Sequence, residues 1–240
     1  MAAQRKFAVF DIDGTLIRWQ LFHAVIDELV RTGYFEPEFY EDIHAARTNW
    51  KQRTHETSFD DYEQLLVSKF DETLQGRAVA PFLKAGQTVI TEHKNRVYTY
   101  TRNLMRSLKS EGYLLFAISG SPHELIGELA ERYGFDDYTG LKIEERNGIF
   151  TGKVDVPNAE HKVEILKQLM AKHNLTITDS IAVGDSERDI AMLNFVKQPI
   201  AFNPSKKLFQ HARDRSWKVI IERKNMIYKL EPNNGGYLLA

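Results

Sequence analysis

Two aspartates, Asp11 and Asp13, stand one residue apart at the end of the apolar run FAVFDIDGTLI, residues 7 to 17. Residues two apart on an extended strand point to one side, so both carboxylates can address one volume. A third acid, Asp185 in GDSERDIAML (184 to 193), ends another apolar run. That much negative charge in a small crevice is unfavourable unless a cation joins it. Mg²⁺ prefers one or two carboxylates, waters and a substrate phosphate as its oxygen ligands, so the pattern points to a phosphate-handling site. Ser119 offers a hydroxyl, the Gly120 N–H allows close approach, and Lys162 adds a positive point charge. Ser121-Pro122-His123-Glu124 reads as a capping box, which would bring a helix N-terminus near the anion.

A carboxylate can attack phosphorus to form an aspartyl phosphate, which divides one hard displacement into two easier ones. A second group must then protonate the leaving alkoxide and afterwards activate water. Asp11 and Asp13 fit these two roles. Asp185 and Asp189, four residues apart, share a helix face, so Asp185 can bind metal while Asp189 orients Lys162 or a metal-bound water. His161 faces away from its neighbour Lys162 and reads as structural.

The elements that must position these residues are legible from periodicity. KFAVFDID, GYLLFAISG (112 to 120), SIAVGDS (180 to 186), QPIAFN and WKVIIE read as strands, and helical patterns such as TRNLMRSLKSEG, SPHELIGELAERYG and EHKVEILKQLMAKH separate them. This alternation predicts an α/β fold, a Rossmann-like parallel sheet with ligands beyond the carboxyl ends of its strands. Residues 18 to 95 are helical in pattern, with LFHAVIDELV and FDDYEQLLVSKFDETLQG each carrying one apolar face. That stretch is too long for a crossover, so the expected organisation is a core over 1–17 and 96–240 with an inserted helical cap domain over 18–95. Asn147-Gly148 in LKIEERNGIFTGKV predicts a hairpin, and the tail EPNNGGYLLA is expected to add little.

Composition narrows the function classes. A chain of 240 residues with net charge −1 has no global basic excess for nucleic acid or an anionic membrane. With no cysteine, disulfide and thiolate chemistry are excluded. No run approaches the about 20 apolar residues of a membrane span, and the N-terminal stretch lacks the apolar region of a signal peptide, so the expectation is a cytoplasmic protein.

DIDGTL, AISGS, the helix-borne Lys162 and GDSERDIAML, in that order, resemble the four motifs of the haloacid dehalogenase-like hydrolase superfamily. The AEHKVEILKQL helix and the position of the insertion are similar to the phosphoserine-phosphatase-like branch. The resemblance implies that Asp11 is the nucleophile and Asp13 the acid/base, with Asp11, the Asp13 carbonyl and Asp185 as magnesium ligands. Serine phosphatases of that branch carry a glutamate nine residues after the nucleophile to receive the substrate ammonium. Here Gln20 takes that place, and a neutral amide cannot supply the same charge pairing, which argues against phosphoserine.

An aspartate pair beside a glycine also suits an ordinary turn, and a lone lysine is more often a solvated helix residue. Their order along the chain sets them apart. Trp19, Gln20, Phe22, Arg47, Trp50 and Arg53 can line a substrate pocket, although aromatics at helical spacing are more often core. The basic stretch HKNRVYTYTRNLMRSLKS reads as the solvated face of a crossover helix. The expected function is a magnesium-dependent phosphatase acting on a small-molecule phosphate ester, with no nucleic acid or membrane partner. The alternatives are a phosphotransferase with the same aspartyl-phosphate chemistry and a non-catalytic phosphate-ligand sensor.

Overall fold

The computed structural model describes residues 5–155, 159–233 and 236–239. The chain divides into two compact units, one formed by 1–21, 92–141 and 156–240 and the other by 22–91 with 142–155.

The first unit is built on β1 (Phe7–Phe10), whose four residues are all buried. Short continuous apolar strands of this kind belong in the middle of a sheet covered on both faces. After the four helices α1 to α4 of the insertion come α5 (Thr99–Ser110), β2 (Leu114–Pro122), α6 (His123–Tyr133) and β3 (Asp137–Arg146). Beyond the hairpin strand β4 (Ile149–Asp155), the chain returns through α7 (Ala159–His173), β5 (Ile181–Gly184), a 3₁₀ turn, α8 (Ile190–Phe195), β6 (Gln198–Phe202), α9 (Lys206–Asp214) and β7 (Lys218–Arg223). The parallel strands lie in the order β3-β2-β1-β5-β6-β7. Counting only those strands, this is the doubly wound order 3-2-1-4-5-6, whose switch point falls between β1 and β5. Phe10 pairs with Val183 there, and the Asp11 N–H continues the ladder to the Val183 carbonyl at 3.0 Å. On one face Phe7, Val9, Phe116 and Ile118 pack with Leu166 and Leu169 of α7, Met192 and Leu193 of α8 and Leu208 of α9.

Two expectations are corrected in this unit. The tail contributes structure: β8 (Met226–Asn233) pairs antiparallel with β7, and β9 (Gly236–Leu239) pairs with β8. Tyr237 donates to the Trp217 carbonyl at 2.9 Å and packs on Phe209, so its ring closes the core beside α9. The capping box at Ser121 does not form either. β2 runs on through Pro122, which becomes the N-cap of α6 without a side-chain bond, because the Ser121 hydroxyl is drawn to Asp13 instead.

The second unit contains α1 (Leu21–Arg31, from Phe22 onward), α2 (Glu38–Gln52), α3 (Ser58–Leu74) and α4 (Val79–His93, to Thr91). Tyr62, Leu66, Phe70 and Leu74 form the buried stripe of α3 at helical spacing. Phe22 meets Phe70 edge-on at 5.0 Å, and Trp50 stacks on Tyr62 at 5.0 Å with His23 edge-on beside them. These aromatics are packing residues of the helical unit. Arg47 binds Asp27 at 2.7 Å, whereas Arg53 is the left-handed C-cap of α2.

The Asn147-Gly148 hairpin forms as its dipeptide predicts: Arg146 pairs with Ile149, and both turn residues have positive φ, 53° and 76°. Its membership differs from the expected division, which left it in the core. The Phe150 carbonyl accepts from Gly76, the Phe150 N–H donates to Arg77, and the Phe150 ring packs edge-on to Phe82, which ties β4 to the helices.

Candidate active site

β1 ends at Phe10, so Asp11 and Asp13 lie just past it in a turn, where the Leu16 and Ile17 N–H groups bond back to the Ile12 carbonyl. Strand alternation therefore does not govern the pair, and the two carboxylates turn to different partners. Asp11 Oδ1 accepts from Lys162 Nζ at 2.9 Å. Asp13 Oδ1 accepts from the Leu21 N–H at 2.6 Å, while its Oδ2 accepts from the Ser119 hydroxyl at 3.0 Å and the Ser121 hydroxyl at 2.7 Å.

Lys162, in the first turns of α7, is buried between two acids: Asp11 and, at 2.6 Å, Asp189 Oδ1. The other oxygen of Asp189 accepts from the Asp185 and Ser186 N–H groups and from the Ser186 hydroxyl, each at 3.1 Å. Ser186 and Asp189 form a reciprocal capping box that fixes the loop carrying Asp185. Asp189 is thus fully committed as an anchor for lysine and loop.

Among the described residues, carboxylate oxygens of Asp11, Asp185 and Asp189 lie within 4.8 Å of one another. The cluster closes because glycines leave room for it. Gly14 has φ +76°, and a Cβ there would stand 2.0 Å from Asp185 Oδ2. A Cβ on Gly184 would meet the Asp189 side chain at 2.5 Å.

Three carboxylates facing one ammonium leave an excess of negative charge in a buried place. Burial pushes Asp11 up to about 8, against the pull of Lys162, and the charges of Asp189 and Asp13 push the same way. Asp185 is raised well above its ordinary value by burial and then by Asp11 and Asp189. Burial also raises Asp13, opposed by the Leu21 N–H and the two serine hydroxyls. For Lys162 burial works against the charge, but Asp11 and Asp189 outweigh it and hold the ammonium above its usual range. The donor set, all oxygen and short of positive charge, fits a hard divalent cation.

Of the residues expected from sequence, Asp11, Lys162, Asp185 and Asp189 come together directly, and Ser119 joins through Asp13. Gly120 is exposed with open space where a side chain would project. Gln20 is half-buried and immediately precedes Leu21, whose N–H holds Asp13. Sequence reasoning missed Ser121 as a partner of Asp13, although a serine two residues from Ser119 on one strand was the available signal. It also missed Glu222, which is buried and accepts from Arg18 and from the Thr99 and Tyr100 N–H groups at 3.0 and 2.8 Å. Glu222 so anchors both the chain after Ile17 and the start of α5.

The family model described as haloacid dehalogenase-like hydrolase matches residues 8–194, and the chain belongs to that family. Among its relatives, phosphoserine phosphatase SerB1 of Mycobacterium tuberculosis is 28% identical over 149 residues, covering 61% of this chain and 48% of that protein. The chain thus spans about half the length of the first relatives it matches. A histidinol-phosphatase of Neisseria meningitidis is 25% identical over 231 residues, 90% of this chain and 98% of that one. A solved protein with unknown function from Bordetella pertussis Tohama I shares the fold, with TM-score 0.72 at 22% identity over 92% of this chain and 99% of its own. Among the described residues no helix is long and apolar enough to cross a membrane.

Proposed function

We propose that this chain is a magnesium-dependent phosphatase that hydrolyses a small phosphomonoester through an aspartyl phosphate on Asp11. The observation that carries this reading is the Lys162 ammonium held between Asp11 and Asp189, with Asp185 close enough to share a cation. Asp11 and Asp185 would hold the Mg²⁺, together with the Asp13 carbonyl. When bound, the ion neutralises the acids and the phosphate oxygens.

The chain's own residues divide the remaining work. Lys162 holds Asp11 Oδ1 and balances charge on the phosphoryl group, with Ser119 and the Gly120 N–H as further donors. The Asp11 carboxylate attacks phosphorus, the bond from phosphorus to the ester oxygen breaks, and Asp13 gives its proton to the departing alkoxide. Burial favours the protonated form of Asp13 that this step needs. In the second step water attacks the aspartyl phosphate, its proton goes to Asp13, and the bond between phosphorus and Asp11 breaks to release phosphate and restore the nucleophile. The helical unit would act as the cap that excludes bulk water during the first step.

The relatives named above act, by their names, on phosphoserine and on histidinol phosphate, and both belong in the first substrate panel. Gln20 in place of an acid favours a substrate whose recognition does not depend on a carboxylate at that position. The experiment is phosphate release from sugar phosphates, phosphorylated amino acids, histidinol phosphate, nucleotides and an aryl phosphate, with magnesium and with chelator, for wild type and Asp11→Asn. Metal-dependent release lost in the variant supports the reading. Release that persists in Asp11→Asn removes the aspartyl phosphate, and release only when an acceptor alcohol is supplied makes the chain a phosphotransferase.

A further inference from the structure

Away from Asp11, the first unit contains a cavity of about 520 Å³ walled by α5, α6 and the segment before α5. A volume of that size lies within the about 300–1,000 Å³ range of small-molecule sites. Arg102, Arg106 and Lys109 of α5 and Arg132 of α6 line it, and no carboxylate does. Among the described residues none of the four pairs with an acid. Lys109 donates to the Gly134 carbonyl and Arg132 to the Asn95 side chain, while Arg102 Nε is buried without a partner.

Arg102, Arg106 and Lys109 sit at i, i+4 and i+7, beside the buried stripe of Thr101, Met105 and Leu108. Like charges at that spacing work against the helix that carries them. They also stand out in a chain whose net charge is −1, so the concentration of positive charge is a local feature and not one of composition. A guanidinium presents a planar fork of donors that matches phosphate oxygens, and two forks and an ammonium on one concave wall suit a ligand with several such oxygens. Val97 and Met105 supply an apolar floor, which suits a compact ligand better than an extended chain crossing the surface.

We propose that this pocket is a second anion site, separate from Asp11 and its partners, that binds a small compound carrying two or more phosphate groups. The site needs no metal. None of its lining residues belongs to the Asp11 cluster, so variants in the lining separate binding there from binding beside Lys162.

The test is calorimetric titration of the protein with tripolyphosphate in EDTA at low and moderate salt, for wild type, the exposed single variant Arg106→Glu and the double variant Arg102→Gln/Lys109→Gln. Saturable single-site binding that weakens with salt, and by about tenfold or more in each variant, is expected for the loss of one or two charge-assisted contacts. Thermal melts and far-ultraviolet circular dichroism establish that the variants are folded; Arg106→Glu changes only an exposed side chain. Absence of binding to wild type, or equal affinity in wild type and Arg106→Glu, would overturn the proposal. Poly-glutamate binding as tightly as tripolyphosphate would overturn the phosphate assignment and make the pocket a receptor for an acidic protein segment.

Discussion

Lys162 Nζ stands 2.6 Å from Asp189 Oδ1, closer than its 2.9 Å to Asp11 Oδ1. The lysine is therefore fixed by an acid whose second oxygen simultaneously caps the loop of Asp185. One side chain sets the position of two site residues that lie on different elements.

Replacing that anchor separates charge from shape. Asp189→Asn keeps an acceptor for the loop N–H groups but removes the charge that holds the ammonium. Turnover of the best phosphomonoester should fall by about 10–100-fold, as for other groups that orient a metal site from behind. If Lys162 balances charge on the phosphoryl group as proposed, the loss should fall on kcat more than on KM, with weaker magnesium dependence. A wild-type kcat in this variant would remove Asp189 from the positioning role.

Gly14→Ala tests the close approach of the two loops. A Cβ at that place meets Asp185 Oδ2 at 2.0 Å, and its φ of +76° already disfavours a side chain. The expected cost is about 1–3 kcal/mol of stability, together with a displaced Asp185. Melting in chelator reads the first effect and magnesium titration the second; magnesium affinity equal to wild type would show that Asp185 does not need the space.

Ser121→Ala removes one of the three donors to the Asp13 carboxylate. Hydrogen bonds to the ionised form lower an acid's pKa, so losing one raises it further. The protonated acid then persists to higher pH, and the basic limb of the kcat/KM profile should move upward, alongside a stability loss of about 1 kcal/mol. A limb that stays in place, or moves down, would assign that limb to another group.

The acid cluster also predicts how the metal-free protein responds to pH. Asp11 rises from 3.8 to about 8 on folding, and Asp185 rises in the same direction. The folded state thus binds more protons than the unfolded chain between those values. Stability from this source is complete below about pH 4 and is lost as pH rises through about 8. Lys162, raised above its usual range, stays charged throughout and adds no slope. In EDTA the melting temperature should fall between pH 5 and 8, and saturating magnesium should stabilise more at pH 8 than at pH 5. A flat profile in chelator would mean that the acids do not share one buried place.

Much of the molecule is legible in its sequence because local chemistry repeats there. β1 and β5 are continuous apolar runs that only a sheet interior can use, and the acids and small residues at their ends can only face the crevice beyond. Asn147-Gly148 specifies its turn through two positive φ angles that few other residue pairs adopt. Asp11 and Asp185 stand out at the ends of such runs, whereas Lys162 and Asp189 are set apart only by their order along the chain with those acids.

Tertiary structure alone decided the rest. Ser121 could cap a helix or hold Asp13, and in the fold its hydroxyl goes to Asp13 while β2 runs on through Pro122. The hairpin groups with the helices because Phe150 finds Phe82 and the backbone of 76–77, a pairing about 70 residues apart that no local window contains. Asp11 and Asp13 take different hydrogen-bond partners past the strand end at Phe10, and the tail completes β8 and forms β9 because β7 offers an edge to extend. Local periodicity selects elements, but partners that compete for the same hydroxyl, ring or strand edge are separated only by the energy of the assembled fold.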